Sequence, residues 1–198
     1  MSSQELTLFS YMVLGLVGRN GAGPHDLRRM ARQGRMLDWV GESQYYVEPK
    51  RLAKLGYLDA RKEPGRTRER TVYSLTEKGL AALEEWAPAP VHFPSIAHEP
   101  LVKLLVTDLV GERPVAESLA TLRADIADLS ARLDVAAAVA DTLPHRREYL
   151  LMGNDLMRRI LAVHLEWLDE VEPRLSARRP RGATTSGAAS RRGRGAPG

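Results

Sequence analysis

From Val115 to Leu143, apolar residues recur at Val115, Leu119, Leu122, Ile126, Leu129, Leu133, Ala136, Ala140 and Leu143, in alternating steps of four and three. A strand alternates every two residues, so only an α-helix brings these steps onto one face. Sustained over four repeats, the stripe is a heptad seam, and it obliges the helix to lie along a partner helix. Pro144 ends this helix or begins the next. Tyr149 to Val171 then carries two stripes, Met152, Leu156, Ile160, Val163, Trp167 and Val171 on one, Leu150, Met157, Leu161, His164 and Leu168 on the other. A helix apolar on two sides needs cover on two sides. One seam is expected to pack within the chain and the other against a second copy, with Leu119, Leu122, Ile126, Leu129, Leu133, Leu156, Ile160 and Trp167 at the dimer interface.

The first 86 residues follow a different plan. Leu6, Phe9, Val13 and Leu16 share one helical face, and NGAGP stops that helix. Pro24 suits a helix start, with Leu27, Met30 and Ala31 as its inner side. Ser43 is the expected N-cap of a third helix running toward Leu55, with Gly56 at C′. Two strands, about residues 57–61 and 70–74, flank a loop holding Pro64 and Gly65. Thr76 caps a fourth helix whose Leu80, Leu83 and Trp86 are expected to face inward. Helix, helix, helix, hairpin, helix is the order of a winged helix-turn-helix. The predicted fold is therefore mainly α, an N-terminal winged helix-turn-helix with a two-stranded β wing plus a C-terminal α-helical, coiled-coil-like dimerisation domain.

Residues 87–96 hold three prolines and no charge, and read as a linker. The expected division is 1–86 as the winged domain, 87–96 as the linker, 97–175 as the helical dimerisation domain and 176–198 as a disordered basic tail. The net charge of +4 owes most to that tail, because residues 171–198 hold seven Lys or Arg against one acidic residue. Global basicity is thus no argument for nucleic acid, and local placement must carry it. The chain has no Cys, which excludes disulfides and thiolate metal sites. The N-terminus lacks a basic start and a cleavage pattern, so a cytoplasmic location is expected.

The third helix places Tyr45, Pro49, Leu52 and Leu55 on one side and Ser43, Val47, Lys50 and Lys54 opposite, with Gln44, Tyr46 and Arg51 on the flanks. The outward set is the inventory of a major-groove helix: Lys for base acceptors or phosphates, Gln for adenine, and Ser and Tyr hydroxyls for phosphate oxygens. Arg51, Arg66, Arg68 and Arg70 would grip the flanking backbone, the hairpin acting as a basic wing along the duplex. Pro49, about six positions into this helix, is expected to bend it or delay its start.

These residues resemble the PadR family of transcriptional regulators. The resemblance lies in LTLFSYMVLGLVGRNGAGPHDL, SQYYVEPKRLAKLGYL and RTVYSLTEKGLAALEEW, followed by a helical C-terminal half. Ser43, Tyr46, Lys50, Arg51, Leu52 and Gly56 match the family's recognition-helix pattern, with Pro49 where a Leu is usual. Gly23, Pro24, His25, Asp26 and Leu27 depart from its usual Gly-Tyr-Glu-Leu. The resemblance implies a homodimer bound to a two-fold operator on double-stranded DNA, usually as a repressor, relieved in some members by a small-molecule effector between subunits.

Other chemistry is sparse. The five histidines show no metal spacing, and His164 reads as a packed core residue. GRNGAGP fits neither phosphate-binding loop. No cofactor, metal, membrane partner or catalytic role is expected, so the chain reads as a regulator and not an enzyme. Trp86, near the linker, is the candidate ligand-contacting residue. The alternative from another class is a protein-interaction adaptor that binds no DNA and recruits a partner through its C-terminal helices.

Overall fold

The computed structural model describes residues 6–32, 39–64, 69–94 and 96–177 of the chain. Its elements are α1 (Leu8–Val17), α2 (Pro24–Arg32), α3 (Gln44–Lys54), β1 (Leu58–Glu63), β2 (Arg70–Leu75), α4 (Glu77–Trp86), α5 (Glu99–Leu105), α6 (Thr107–Val110), α7 (Glu112–Asp141) and α8 (Arg147–Ala177). The winged order is therefore present, and the strands each run one or two residues beyond the expected ends.

Local chemistry explains the starts. Thr7 and Ser10 form a reciprocal capping box at α1, satisfying two backbone donors the first turn leaves open. At α4 the Thr76 hydroxyl accepts from the Gly79 N–H at 3.1 Å and donates to the Gly56 carbonyl at 2.7 Å, so one side chain caps a helix and ties it to the end of α3. Gly56 has φ +79°, the left-handed conformation that closes a helix at C′. Ser43, by contrast, is itself helical and makes no side-chain cap bond, which corrects its expected role. Pro49 is buried and α3 runs through it as one helix, so the expected delay of the helix start does not occur.

β1 and β2 pair antiparallel from Leu58↔Leu75 to Glu63↔Arg70. Ala22, in the segment read as a plain stop signal, adds a bridge to Tyr73 with two 3.0 Å backbone bonds. The core of this half gathers Phe9, Val13, Leu14, Leu27, Tyr45, Leu52, Leu58 and Tyr73, with Phe9 edge-on to Tyr45 at 5.4 Å. Two expected inward residues of α4 are not inside: Leu80 is exposed, and Trp86 is exposed and lies flat on Tyr11, ring centroids 4.6 Å apart.

Residues 87–94 and 96–98 carry no helix or strand. Beyond them α7 and α8 form an antiparallel pair. Val115, Leu119, Ile126, Leu129 and Leu133 are buried against Leu161 and Leu168, with Leu122, Met157 and Trp167 partly buried beside them. This takes Leu119, Ile126, Leu129 and Leu133 out of the expected dimer interface, because α8 of the same chain already covers them, while Leu122 stays half-buried at the edge of the seam. A five-residue connection makes consecutive helices antiparallel neighbours, so the heptad seam of α7 closes on the next helix along the chain. Arg123 locks the pair by forking between Asp169 at 2.6 Å and Glu172 at 2.8 Å. At the far end Arg146 donates to the Gly15 carbonyl of α1 at 2.8 Å, joining the helical pair to the winged half. α8 extends to Ala177, past the expected start of the tail at 176, and residues 178–198 lie outside the described residues.

Candidate nucleic-acid interface

α3 owes its orientation to its inner face. Tyr45 and Leu52 are fully buried and Pro49 lies between them, so the opposite side must point out. On that side Ser43, Gln44, Tyr46, Val47, Lys50 and Lys54 are all exposed. Neither Lys50 nor Lys54 has an ion-pair partner among the described residues, which leaves both ammonium groups free for an anionic ligand.

Arg51 has another task. Its guanidinium donates to Glu48 Oε2 at 2.8 Å and Oε1 at 2.7 Å and to Ser10 Oγ at 3.1 Å, while Ser10 donates to Glu48 Oε1 at 2.6 Å. Arg51 thus fastens α3 to α1 and does not stand on the outward face, contrary to its expected role on the flanking backbone. Burial alone would raise the Glu48 carboxyl, but the bonds from Arg51 and Ser10 outweigh it and hold it below the usual carboxylate range. Sequence reasoning misses Glu48. It lies three residues after Tyr45 and four before Leu52, so its place on the buried face is legible from spacing. What hides it is its charge, which is rare inside unless paired.

Lys78 closes the other end of α3. Its Nζ donates to the Leu55 carbonyl at 2.7 Å and sits 4.4 Å above the Tyr57 ring, a cation placed where the helix dipole is negative. The hairpin follows directly. Of its basic residues, Arg61 pairs with Glu63 at 2.7 Å, and Arg70 pairs with Glu63 at 3.1 Å and approaches Asp26 at 3.8 Å. Such exposed pairs hold only about 0–1 kcal/mol, so a phosphate can displace the carboxylates. Arg66 and Arg68 lie outside the described residues.

Trp86 does not line either of two clefts that border the winged half. One, of about 480 Å³, lies between α2 and α7 and is lined by His25, Arg28, Arg29, Arg32, Arg132 and Val135. The other lies between α1 and the α7–α8 connection and includes Arg19, Asp26, Leu143 and Arg146. Among the described residues no group of three His, Asp or Glu could hold a metal, and no helix is long and apolar enough to cross a membrane.

No family model matches the chain, and no curated protein matches it. Solved structures do. Bacillus subtilis PadR in complex with operator DNA aligns over 87% of this chain and 98% of its own, with a TM-score of 0.66 at 18% identity. BC1756, a PadR-like transcriptional regulator from Bacillus cereus, aligns over 85% and 98%, with a TM-score of 0.67 at 14% identity. Bacillus subtilis PadR in complex with p-coumaric acid aligns over 86% and 98%, with a TM-score of 0.58 at 16% identity. The chain therefore has the fold of these regulators, from the winged half through the helical pair.

Proposed function

We propose that the chain is a homodimeric, sequence-specific DNA-binding transcriptional regulator of the PadR type, acting as a repressor relieved by a small-molecule effector. The observation that carries this reading is the unobstructed outer face of α3, with Gln44, Tyr46, Lys50 and Lys54 exposed together beside a basic hairpin. It stands in the fold of a protein solved on operator DNA. On this reading Tyr46 and the Lys and Arg groups displace counterions from phosphates, while Gln44 and Lys50 meet base edges. Residues 1–86 are the reading head, 87–96 the linker and 97–175 the dimerisation body. A two-fold pair of heads would place its α3 helices in successive major grooves, about 34 Å apart. The p-coumaric acid complex of the Bacillus subtilis protein supports a small aromatic acid as the class of effector.

Lys50 provides the test. Lys50→Ala should cost about 1–3 kcal/mol on a duplex selected by the protein from a random pool, and much less on a random duplex. Titrations of both duplexes at several salt concentrations measure the difference. Equal losses on both would remove Lys50 from base reading. A protein with no affinity for random duplex even at low salt would be an adaptor and not a DNA-binding regulator.

A further inference from the structure

Where the linker enters the helical body, two imidazoles meet. His98 is the N-cap of α5, its Nδ1 3.4 Å from the Leu101 N–H. Its Nε2 lies 2.7 Å from Nε2 of His164 on α8, and the two rings stack at 4.9 Å with planes 21° apart. The other nitrogen of His164, Nδ1, is 2.7 Å from the Ile160 carbonyl, and Trp167 sets its ring at right angles to His98 at 6.3 Å.

Proton accounting leaves one arrangement. The Ile160 carbonyl only accepts, so His164 carries its proton on Nδ1 and presents a bare Nε2. The Leu101 N–H only donates, so His98 is bare at Nδ1 and carries its proton on Nε2. His98 Nε2–H therefore donates to His164 Nε2, and all four ring nitrogens are satisfied with both rings neutral. A proton added to His164 sets N–H against N–H. A proton added to His98 does the same at Leu101 and removes the cap of α5.

Several charges on the surrounding elements are engaged elsewhere, Asp128 of α7 pairing with Arg132 at 2.8 Å. On α5, Glu99 pairs with Lys103 at 3.0 Å, and Lys103 also bonds Ser118 of α7. On α7, Arg113 pairs with Glu117 at 2.8 Å, and Arg123 holds Asp169 and Glu172 of α8. Glu166, on the same turn of α8, is exposed. No ion pair joins either imidazole to Glu99, Glu117, Asp169 or Glu172, each of which is held by a cation. Burial first, and then the neighbouring His164, holds the His98 imidazole below the ordinary histidine value. The sign follows for His98: its neutral form contributes fully above about pH 6.5, and that contribution is lost as the pH falls from there through the folded value.

We propose that His98 and His164 form a proton-operated clasp that pins the end of the linker and the first turn of α5 to α8 when neutral and releases them when protonated. Residues 87–98 connect the winged half to this point along the chain, so release frees one end of that connection, while Arg146 keeps its bond to Gly15. The consequence for DNA rests on the function proposed above, whereas the clasp itself does not.

The experiment follows amide exchange in α5 and imidazole NMR titrations of the full chain, comparing wild type with His98→Asn/His164→Gln. The asparagine side chain retains an acceptor for the Leu101 N–H, so the double variant keeps a cap but cannot titrate there. Protection at Leu101 and Val102, corrected for intrinsic exchange, should fall about tenfold or more in wild type between pH 7.5 and pH 5 and stay level in the double variant. In His164→Gln, the His98 titration should move up toward the ordinary value. Constant protection in wild type, or an equal fall in the double variant, would overturn the clasp. A second arm measures binding to a duplex selected from a random pool, expected to weaken at pH 5.5 in wild type relative to the double variant. Exchange that responds while binding does not would uphold the clasp and overturn its link to DNA.

Discussion

With Ile160 replaced by Glu, the protein should sediment as single 22.0 kDa chains at micromolar concentration, and its affinity for a two-fold site should drop by about a hundredfold or more. The reasoning begins on α8. Its inner face, through Leu161 and Leu168, is buried against α7. Its outer face leaves Met152 at 59%, Leu156 at 50%, Ile160 at 38% and Val163 at 60% exposed, a continuous stripe at helical spacing. Such a stripe marks an interaction surface, and a second copy offers the same stripe across a two-fold axis. A carboxylate at its centre has no partner there and cannot be desolvated cheaply. Trp167 belongs to this expected interface only in part, since it is half-buried and touches His98. Folding should hardly notice Ile160→Glu, because the side chain faces outward. Leu129→Glu, pointing into the α7–α8 seam, should instead unfold the helical body. A dimer of undiminished affinity in Ile160→Glu would place the contact between copies elsewhere.

The contrast between Leu129 and Ile160 shows how far the sequence can be read. Steps of three and four tell which faces of α7 and α8 need cover, and both helices are where the periodicity puts them. Periodicity does not say which helix supplies the cover, and for α7 the short connection to α8 decides it. α5 and α6 are not legible, being too short to repeat a pattern, and the α5 start depends on His98, whose ring partner His164 is visible only in three dimensions. The winged half is legible in order and nearly in extent because Thr76, Gly56 and Pro24 are local signals with local causes. Leu80 is misplaced because α4 packs through its neighbour Gly79, where an added Cβ would run into the Tyr57 carbonyl and Leu75, whereas Trp86 is the last residue of α4 and lies against Tyr11 at the rim of the core.

Glu48→Leu should cost about 2–4 kcal/mol of stability and weaken DNA binding without removing a group that could touch DNA. Leu fills the volume but strands the Arg51 guanidinium and the Ser10 hydroxyl, both of which lose a charge-assisted bond in a partly enclosed site. These are the polar ties between α3 and α1, so the outward face of α3 loses the bonds that fix its angle, and the same Lys50 and Gln44 are offered less precisely. Glu48→Gln, which keeps an acceptor for Arg51 and Ser10, should lose less than half as much. The pH profile gives an independent check. Because the folded carboxyl titrates below the ordinary 4.5, its contribution is complete above that pH and lost as the pH falls through the folded value. Wild type should therefore shed stability below about pH 4.5 more steeply than Glu48→Leu, and chemical denaturation at pH 7 and pH 3.5 measures both slopes. Parallel profiles for the two proteins would mean that Glu48 titrates in the fold as it does in the unfolded chain, and that its bonds to Arg51 and Ser10 add nothing to the hold on α3.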